Sequence, residues 1–328
     1  QEDINNHIIR TTNQNPDIVF DDDPLRILRV IRFATRYGWE IEKNTYESMK
    51  RNVQRLKIIT KERIQAEFNK ILMSENAVMG INMLHDIGAM SFIVPEFEKC
   101  YGLTQNRYHF GDVAEHTLAV LDYHCKHFDA DLTERLACFL HDIGKIMTRR
   151  MKDGKVHFYN HEYVGAEMVG DILRELKYDT DTIKKVQFLI RNHMRTKQAG
   201  DGAKYMKDKS LHKLLYECKT FEMFKSLMRI IECDNEAHAK DCCIHNQYSE
   251  LVAKVELEGS HSKMFGYKLP VTGEDIMSVL GLEPGPVIAE INKRLLNQAF
   301  IDPEISKERC IKLLPGIRKQ AEDTLNKK

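Results

Sequence analysis

Proline is scarce in this chain: eight residues in 328, alongside 17 glycines. So few breakers let helices propagate, and they exclude collagen-like and proline-rich disordered chains. No apolar run approaches the roughly 20 residues that cross a bilayer, and no signal peptide is legible at the start. An excess of one charge is also missing, since Lys plus Arg and Asp plus Glu both total 49. No global field therefore draws the chain to nucleic acid or membrane, although local charge still can. Eight cysteines are present, none spaced Cys-x-x-Cys, and the nearest two, Cys242 and Cys243, are adjacent and poorly placed to bridge. Structural zinc and a disulfide framework are thereby disfavoured, and a reducing cytoplasm fits. The first residue is Gln1, as expected of a processed form or a fragment. The length suits about two to three compact units.

What is present is helical periodicity, and the fold class read from it is all-α. Ile8 to Thr12 could make one short strand. Asp21-Asp22-Asp23-Pro24 should start a helix, with acids ahead of the first turn and proline near N1. On that helix Ile27, Val30, Ile31 and Ala34 share one arc, and Arg26, Arg29, Arg32 and Arg36 the other. Residues 26–70 hold 12 basic and 5 acidic side chains, a local surplus of 7. A solvated helix face explains most such runs, and a phosphate-facing surface is the sharper reading. Further helices are expected over 61–73, 113–127, 132–147, 161–177, 180–195, 210–217 and 220–240, with a boundary near 100. Lys152-Asp153-Gly154-Lys155 is a turn signal, 197–209 reads as a polar loop, and 258–262 as a linker. Gly285 and Pro286 start a late helix whose free amides could hold a phosphate, although ordinary helix initiation explains them equally well.

The chemistry-bearing set is His116, then His141-Asp142 within Leu140-His141-Asp142-Ile143-Gly144-Lys145, then Asp234. Imidazole and carboxylate donors suit Mn, Fe, Ni, Co or Mg, with positions left for water and phosphate. His161 and His193 lie between the pair and Asp234 and are candidates for a second position, which Asp142 could bridge. Each residue alone has a plain explanation: a core histidine at 116, a helix start at 161, a dipole-stabilised surface histidine at 193, a surface carboxylate at 234. Their joint occurrence in order raises the set above these. The chain also carries a decoy, Leu84-His85-Asp86-Ile87-Gly88, but position 60, 25 residues before His85, is Thr and position 89 is Ala. His85-Asp86 is therefore read as a polar pair at a helix end. The expected chemistry is metal-assisted phosphoester hydrolysis, with Asp142 at its centre and Lys145 neutralising charge on the phosphoryl oxygens. Lys145 could equally be a surface lysine. Arg191 or Arg195 could assist, but nothing selects either.

The order His, His-Asp, Asp with Lys145 resembles the HD phosphohydrolase superfamily over residues 105–240. Asp22-Asp23-Pro24-Leu25-Arg26 through Ala34 resembles the E-D-x-x-R neck motif of class II CCA-adding tRNA nucleotidyltransferases and bacterial poly(A) polymerases, with Asp22 where Glu is usual. Glu62 to Phe68 with Lys70-Ile71-Leu72 is similar to a later motif of that family, and 269–277 with 284–286 to its C-terminal region. The resemblance implies that Asp22, Asp23 and Arg26 bind the base edge of CTP or ATP, that Arg29, Arg32 and Arg36 contact RNA, and that the partners are tRNA and nucleotides rather than DNA or a membrane.

The family's catalytic head, with its Gly-Ser motif and Asp-x-Asp pair, precedes the neck, and neither motif occurs ahead of Asp22. A chain without that head would not transfer nucleotides by the family's mechanism. The resemblance thus divides the chain into a head remnant and linker (1–20), neck and body (21–100), HD domain (101–245) and tRNA-binding tail (246–328). It implies 2′,3′-cyclic phosphodiesterase or phosphatase action at RNA ends for the HD part. A tRNA clamp with a silent HD pocket, and a free-standing HD nucleotidase, are the alternatives.

Overall fold

The structure, a computed structural model, describes residues 2–105, 111–196, 206–238, 242–243, 247–257 and 259–326. It resolves into two compact units, one of residues 1–195 with 226–246, the other of 196–225 with 247–328.

The first unit begins with α1 (Glu2–Asn5), β1 (Ile8–Ile9) and α2 (Pro16–Asp22). The strand expected over 8–12 is confined to Ile8 and Ile9, which pair in parallel with β2 (Glu40–Ile41). The neck helix differs from expectation at its start. Asp21 and Asp22 end α2, and α3 (Leu25–Tyr37) begins after Pro24. The residue before a proline is driven out of the α region, and Asp23 is accordingly extended, with ψ 100°. The two faces of α3 follow the period-3.6 pattern: Leu25, Ile27, Leu28, Ile31 and Ala34 are buried, and Gly38 closes the helix in the left-handed region. That face packs on α5 (Lys61–Leu72) and α6 (Ala77–Asp86), while α4 (Lys43–Asn52) packs on α2. Phe20 is fully buried, and Asp17 accepts from Ser48 (2.5 Å) and Arg51 (3.0 Å) on α4.

Five helices frame the pocket: α7 (Val113–His127), α8 (Leu132–Leu140), α10 (His161–Glu175), α11 (Thr180–Asn192) and α13 (Phe221–Glu236). Asp112 opens α7 through a reciprocal capping box with Glu115. The helix expected over 132–147 is broken after Leu140. The His-Asp-Ile-Gly segment turns the chain, a single-turn α9 (Lys145–Thr148) follows, and β3 (Arg149–Lys152) pairs antiparallel with β4 (Lys155–Phe158). The turn signal at 152–155 was legible, but the strands beside it were not expected. The first unit runs through the boundary expected near residue 100. The Phe139 ring on α8 packs on Phe68 of α5 (5.8 Å) and on Phe97 (4.4 Å), so residues on both sides of 100 share one aromatic core.

The second unit contains α12 (Asp208–Cys218), α14 (Gln247–Leu257), α15 (Gly259–Ser262), α16 (Gly273–Leu280), α17 (Pro286–Ala299) and α18 (Lys307–Leu325). Residues 259–262, read as linker, form a helical turn, and Glu258 lies outside the described residues. Most of the polar loop expected over 197–209 also lies outside them; its end, from Asp208, is helical. Gly285 and Pro286 start α17, whose Ile288, Ile291 and Leu295 pack with Ile276, Leu314 and Ile317. Among the described residues no disulfide joins the cysteines.

A buried carboxylate ties α13 to the pocket floor. Glu134, 2 % exposed, accepts from His124 Nε2 (2.8 Å), Ser226 Oγ (2.6 Å) and Arg229 (3.0 Å). Burial alone would raise its pKa; donation by His124 and Ser226 and the Arg229 charge overcome it and hold the pKa below the ordinary 4.5. A depressed carboxylate stabilises the fold fully above its unfolded pKa and loses that contribution as pH falls through the folded one. Glu134→Ala is expected to destabilise the first unit by about 3 kcal/mol in urea unfolding at pH 7, because it strands buried partners. The gap between variant and parent should narrow as pH drops below 4.5.

Candidate metal centre

The six candidate residues come from different elements and converge. His116 sits in the first turn of α7, His141 at the end of α8, His161 at the start of α10, His193 at the end of α11 and Asp234 near the end of α13. All are buried, with Asp142 and Asp234 at 2 % exposure.

The ring orientations follow from one repeated device. His141 Nδ1 faces the Cys138 carbonyl (3.0 Å), His193 Nδ1 that of Ile190 (2.6 Å), His161 Nδ1 that of Phe158 (2.9 Å) and His116 Nδ1 that of Ala237 (3.3 Å). A carbonyl oxygen only accepts, so each Nδ1 carries the proton and donates. In the neutral ring each Nε2 is then a lone pair, the tautomer that binds metal. For His141 and His193 the accepting carbonyl lies three residues back, among those a helix end leaves open.

These lone pairs face carboxylates. Asp142 Oδ2 is 3.1 Å from His141 Nε2 and 3.6 Å from His116 Nε2. Asp142 Oδ1 is 3.3 Å from His161 Nε2 and 3.9 Å from His193 Nε2. Asp234 Oδ1 is 3.1 Å from His116 Nε2 and 3.8 Å from His141 Nε2. Two groups, His116 with His141 and Asp142, and Asp142 with His161 and His193, each bring their donor atoms within 4.8 Å of one another. The Nε2 atoms of His141, His161 and His193 are buried with no hydrogen-bond partner in good alignment. An unmet buried polar atom costs on the order of 1–3 kcal/mol, so three aimed at one place fit a cation between lone pairs and carboxylates. The donor set suits Mn, Fe, Co, Ni or Mg.

The protonation tendencies agree. Burial pushes the His193 pKa down to about 3, with the charges of His141 and His161 adding to it. Burial also lowers that of His116, against the pull of Asp234 and Asp142. His141 goes the other way: burial is outweighed by the Asp142 charge beside it, and its pKa rises. Asp142 stays ionised, because the His141 and Lys145 charges outweigh its burial.

Lys145 is no surface lysine. It is 3 % exposed, with Nζ 2.6 Å from Asp142 Oδ2, 2.6 Å from Gln105 Oε1 and 5.3 Å from the Phe158 ring centre. Gln105 and His238 were missed by sequence reasoning. His238 Nδ1 donates to the Asp234 carbonyl (2.5 Å) and its ring lies edge-on to His116. Its spacing of four from Asp234, just past the end of α13, was the available signal. The decoy pair stays apart: His85, near the C-terminus of α6, meets Glu98 (2.7 Å) and stacks on Tyr101.

Gly144 sets how closely α10 approaches. A Cβ there would run into the His161 carbonyl and lie 2.6 Å from Gly165 N, both backbone, whereas one on Gly165 would meet Gly144 N at 3.2 Å.

The neck residues are brought together but are mutually engaged. Arg26 pairs with Asp22 (2.7 Å), and Asp23 takes the Leu25 amide (3.2 Å) and Arg63 (3.0 Å). The shared arginine face is less uniform than expected. Arg29 and Arg36 are exposed, while Arg32 is half-buried and paired with Glu67 (2.9 Å). Arg32 and Arg36 line a cleft of about 600 Å³ with Lys70, Met73, Ser74 and Glu75.

In a Mn²⁺ titration by calorimetry, Asp142→Ala is expected to abolish binding and His193→Ala to remove one of two binding events. A single event untouched by His193→Ala would rule out the second position. Gly144→Ala should lower both the melting temperature and metal affinity, and Gly165→Ala should have a smaller effect on both.

Comparison with known proteins agrees with this arrangement. Residues 38–101 match a family described as the probable RNA and SrmB-binding site of polymerase A, and residues 113–222 match the HD domain family. The A-adding tRNA nucleotidyltransferase of Deinococcus radiodurans is 28% identical over 90% of this chain and 68% of its own length. The CC-adding enzyme of Thermus thermophilus is 27% identical over 84% of this chain and 62% of its own. The fold is similar to that of the Bacillus stearothermophilus CCA-adding enzyme crystallised with CTP, at TM-score 0.66 and 17% identity, over 98% of this chain and 68% of that one. The chain thus spans some three fifths to two thirds of the length of these relatives. Along most of its length the chain is thus similar to CCA-adding tRNA nucleotidyltransferases, with a segment of the polymerase A RNA-binding family followed by an HD domain.

Proposed function

We propose that the HD pocket is a metal-dependent phosphohydrolase acting on RNA ends, as a 2′,3′-cyclic phosphodiesterase or phosphatase, and that the surrounding helices bind tRNA. The observation that carries this reading is the set of buried Nε2 lone pairs aimed at Asp142 and Asp234. His116, His141, Asp142 and Asp234 would hold one divalent cation, and His161 and His193 would share Asp142 for a second. A cation bound there would supply Lewis acidity for the attack of water on phosphorus. In the net reaction water's oxygen bonds to phosphorus, one ester P–O bond breaks, and the leaving oxygen takes a proton. Asp142 and Asp234 keep the pocket anionic, the backbone carbonyls hold the imidazoles oriented with Nδ1 as the donor, and the buried helix ends exclude bulk water. Lys145, paired with Asp142, would offset negative charge that develops on the phosphoryl oxygens.

The relatives are named A-adding and CC-adding tRNA nucleotidyltransferases, and we extend that tRNA context to this chain. The Asp22–Arg26 pair sets an acceptor beside a donor at the start of α3, the pattern that the Watson–Crick edge of cytosine or adenine requires of a protein. CTP and ATP would be read there, and Arg29 and Arg36 would contact tRNA phosphates.

The test uses metal-stripped protein with 2′,3′-cyclic AMP and p-nitrophenyl phosphate, restored with Mg²⁺, Mn²⁺, Co²⁺ or Ni²⁺. Metal-dependent turnover lost in Asp142→Ala is expected. No turnover with any metal, from folded protein that still binds tRNA, would sink the hydrolase reading and leave a tRNA clamp with a silent pocket.

A further inference from the structure

The β3–β4 ribbon is the one element of the pocket region that the metal centre does not explain. The chain leaves the pocket at Lys145, runs out along β3, turns at Asp153-Gly154 and returns along β4 to His161. Its register places Arg149 opposite Phe158, Arg150 opposite His157, Met151 opposite Val156 and Lys152 opposite Lys155. Directly opposed residues share a face of an antiparallel pair, and the face alternates along each strand. One face therefore carries Arg149, Met151, Val156 and Phe158. It is turned to the pocket: Phe158 underlies Lys145, its carbonyl orients His161, and Arg149 donates to Thr104 (3.2 Å).

The other face carries Arg150, Lys152, Lys155 and His157. Arg150, Lys152 and Lys155 are exposed, and among the described residues none has an ion-pair partner. The His157 ring stacks flat on Tyr159, 5.1 Å away at 5° between planes, and Tyr159 is 56% exposed. Like charges directly opposed across a ribbon destabilise it, and here Lys152 meets Lys155 on either side of the Asp153-Gly154 tip. Exposed cations interleaved with open aromatic rings are the elements that hold single-stranded nucleic acid: the cations follow phosphates and the rings stack on bases.

We propose that this outer face of the ribbon docks the single-stranded end of the RNA whose terminal phosphate enters the metal pocket. The proposal rests on the phosphohydrolase reading for the identity of that terminal group. It goes further in making the HD site one for an oligonucleotide end rather than a free nucleotide. Continuity supports it, since the root of the ribbon holds His161 by a main-chain hydrogen bond and covers Lys145 with Phe158. A strand lying on the outer face would be led towards the ligands. Three cations match about three phosphates.

The test compares the parent with the triple variant Arg150→Gln, Lys152→Gln, Lys155→Gln and with Tyr159→Leu. One substrate is an eight-nucleotide RNA ending in a 2′,3′-cyclic phosphate, and the other is 2′,3′-cyclic AMP, each with Mn²⁺. The triple variant is expected to raise KM for the oligonucleotide on the order of tenfold with kcat kept, and Tyr159→Leu several-fold. Turnover of 2′,3′-cyclic AMP should stay unchanged in both. In metal-free anisotropy titrations, the salt dependence of oligonucleotide binding should flatten by about two in log–log slope. Unchanged KM and affinity in the triple variant would overturn the proposal, leaving lysines that only block strand pairing. An equal loss on both substrates would overturn it too, as damage to the pocket. If the parent turns over neither substrate, a weakened oligonucleotide affinity in the triple variant still supports the ribbon while the hydrolase reading fails.

Discussion

The pocket depends on the carboxylate of Asp142. It is almost fully buried, and each of its oxygens faces imidazole nitrogens, Oδ2 towards His116 and His141 and Oδ1 towards His161 and His193. An ionised carboxylate removed from water needs compensating charge, and Lys145 supplies one unit of it. Four imidazoles locked by backbone carbonyls cannot all supply more, since each presents a lone pair in its neutral form. The Asp142 charge raises the His141 pKa for the same reason. A divalent cation relieves this conflict, since it accepts from lone pairs and carboxylates alike. The electrostatic demand of this frame and its fitness for metal are the same property.

That frame is held by tertiary contacts at some distance from it. Asp234 is carried on α13, and α13 is fastened by Glu134 through Ser226 and Arg229, with His124 of α7 on the same carboxylate. The His141-Asp142 turn is fixed against α10 by the missing side chain of Gly144. Behind it, Arg135, 2 % exposed, donates to the carbonyls of Leu72 (2.8 Å) and Ser74 (2.7 Å) at the end of α5. The end of α5 thereby accepts two hydrogen bonds from a buried guanidinium of the helix that ends at His141, and the shared aromatic core reinforces the same junction.

The helices were largely legible because each buries one face, and period 3.6 writes that face into the sequence. α7 over 113–127 and α5 over 61–72 emerge close to where the apolar spacing put them. What failed was local. The helix read through 132–147 breaks because His141 and Asp142 are drawn to partners on other elements, which no window of sequence contains. The strands of the ribbon are four residues each, and only β4 alternates polar with apolar side chains, too little to mark a strand in the sequence. The candidate ligands were identified from order and spacing, and the geometry brings all six together. Their outer partners were hidden, because Gln105 acts through a contact forty residues away and Glu134 through helices distant in sequence. Arg32 shows the converse: helical phase put it on the exposed face, and Glu67 of α5 drew it in.

The residues that fix the four imidazoles do so with peptide carbonyls. Cys138, Phe158, Ile190 and Ala237 supply that oxygen whatever their side chains are. The orientation of the ligands is thus written in backbone path rather than in residue identity. Such a site can drift in sequence around its ligands while its tautomers stay put. Divergence would erode the surfaces that choose a substrate long before it touched the frame that binds the ion.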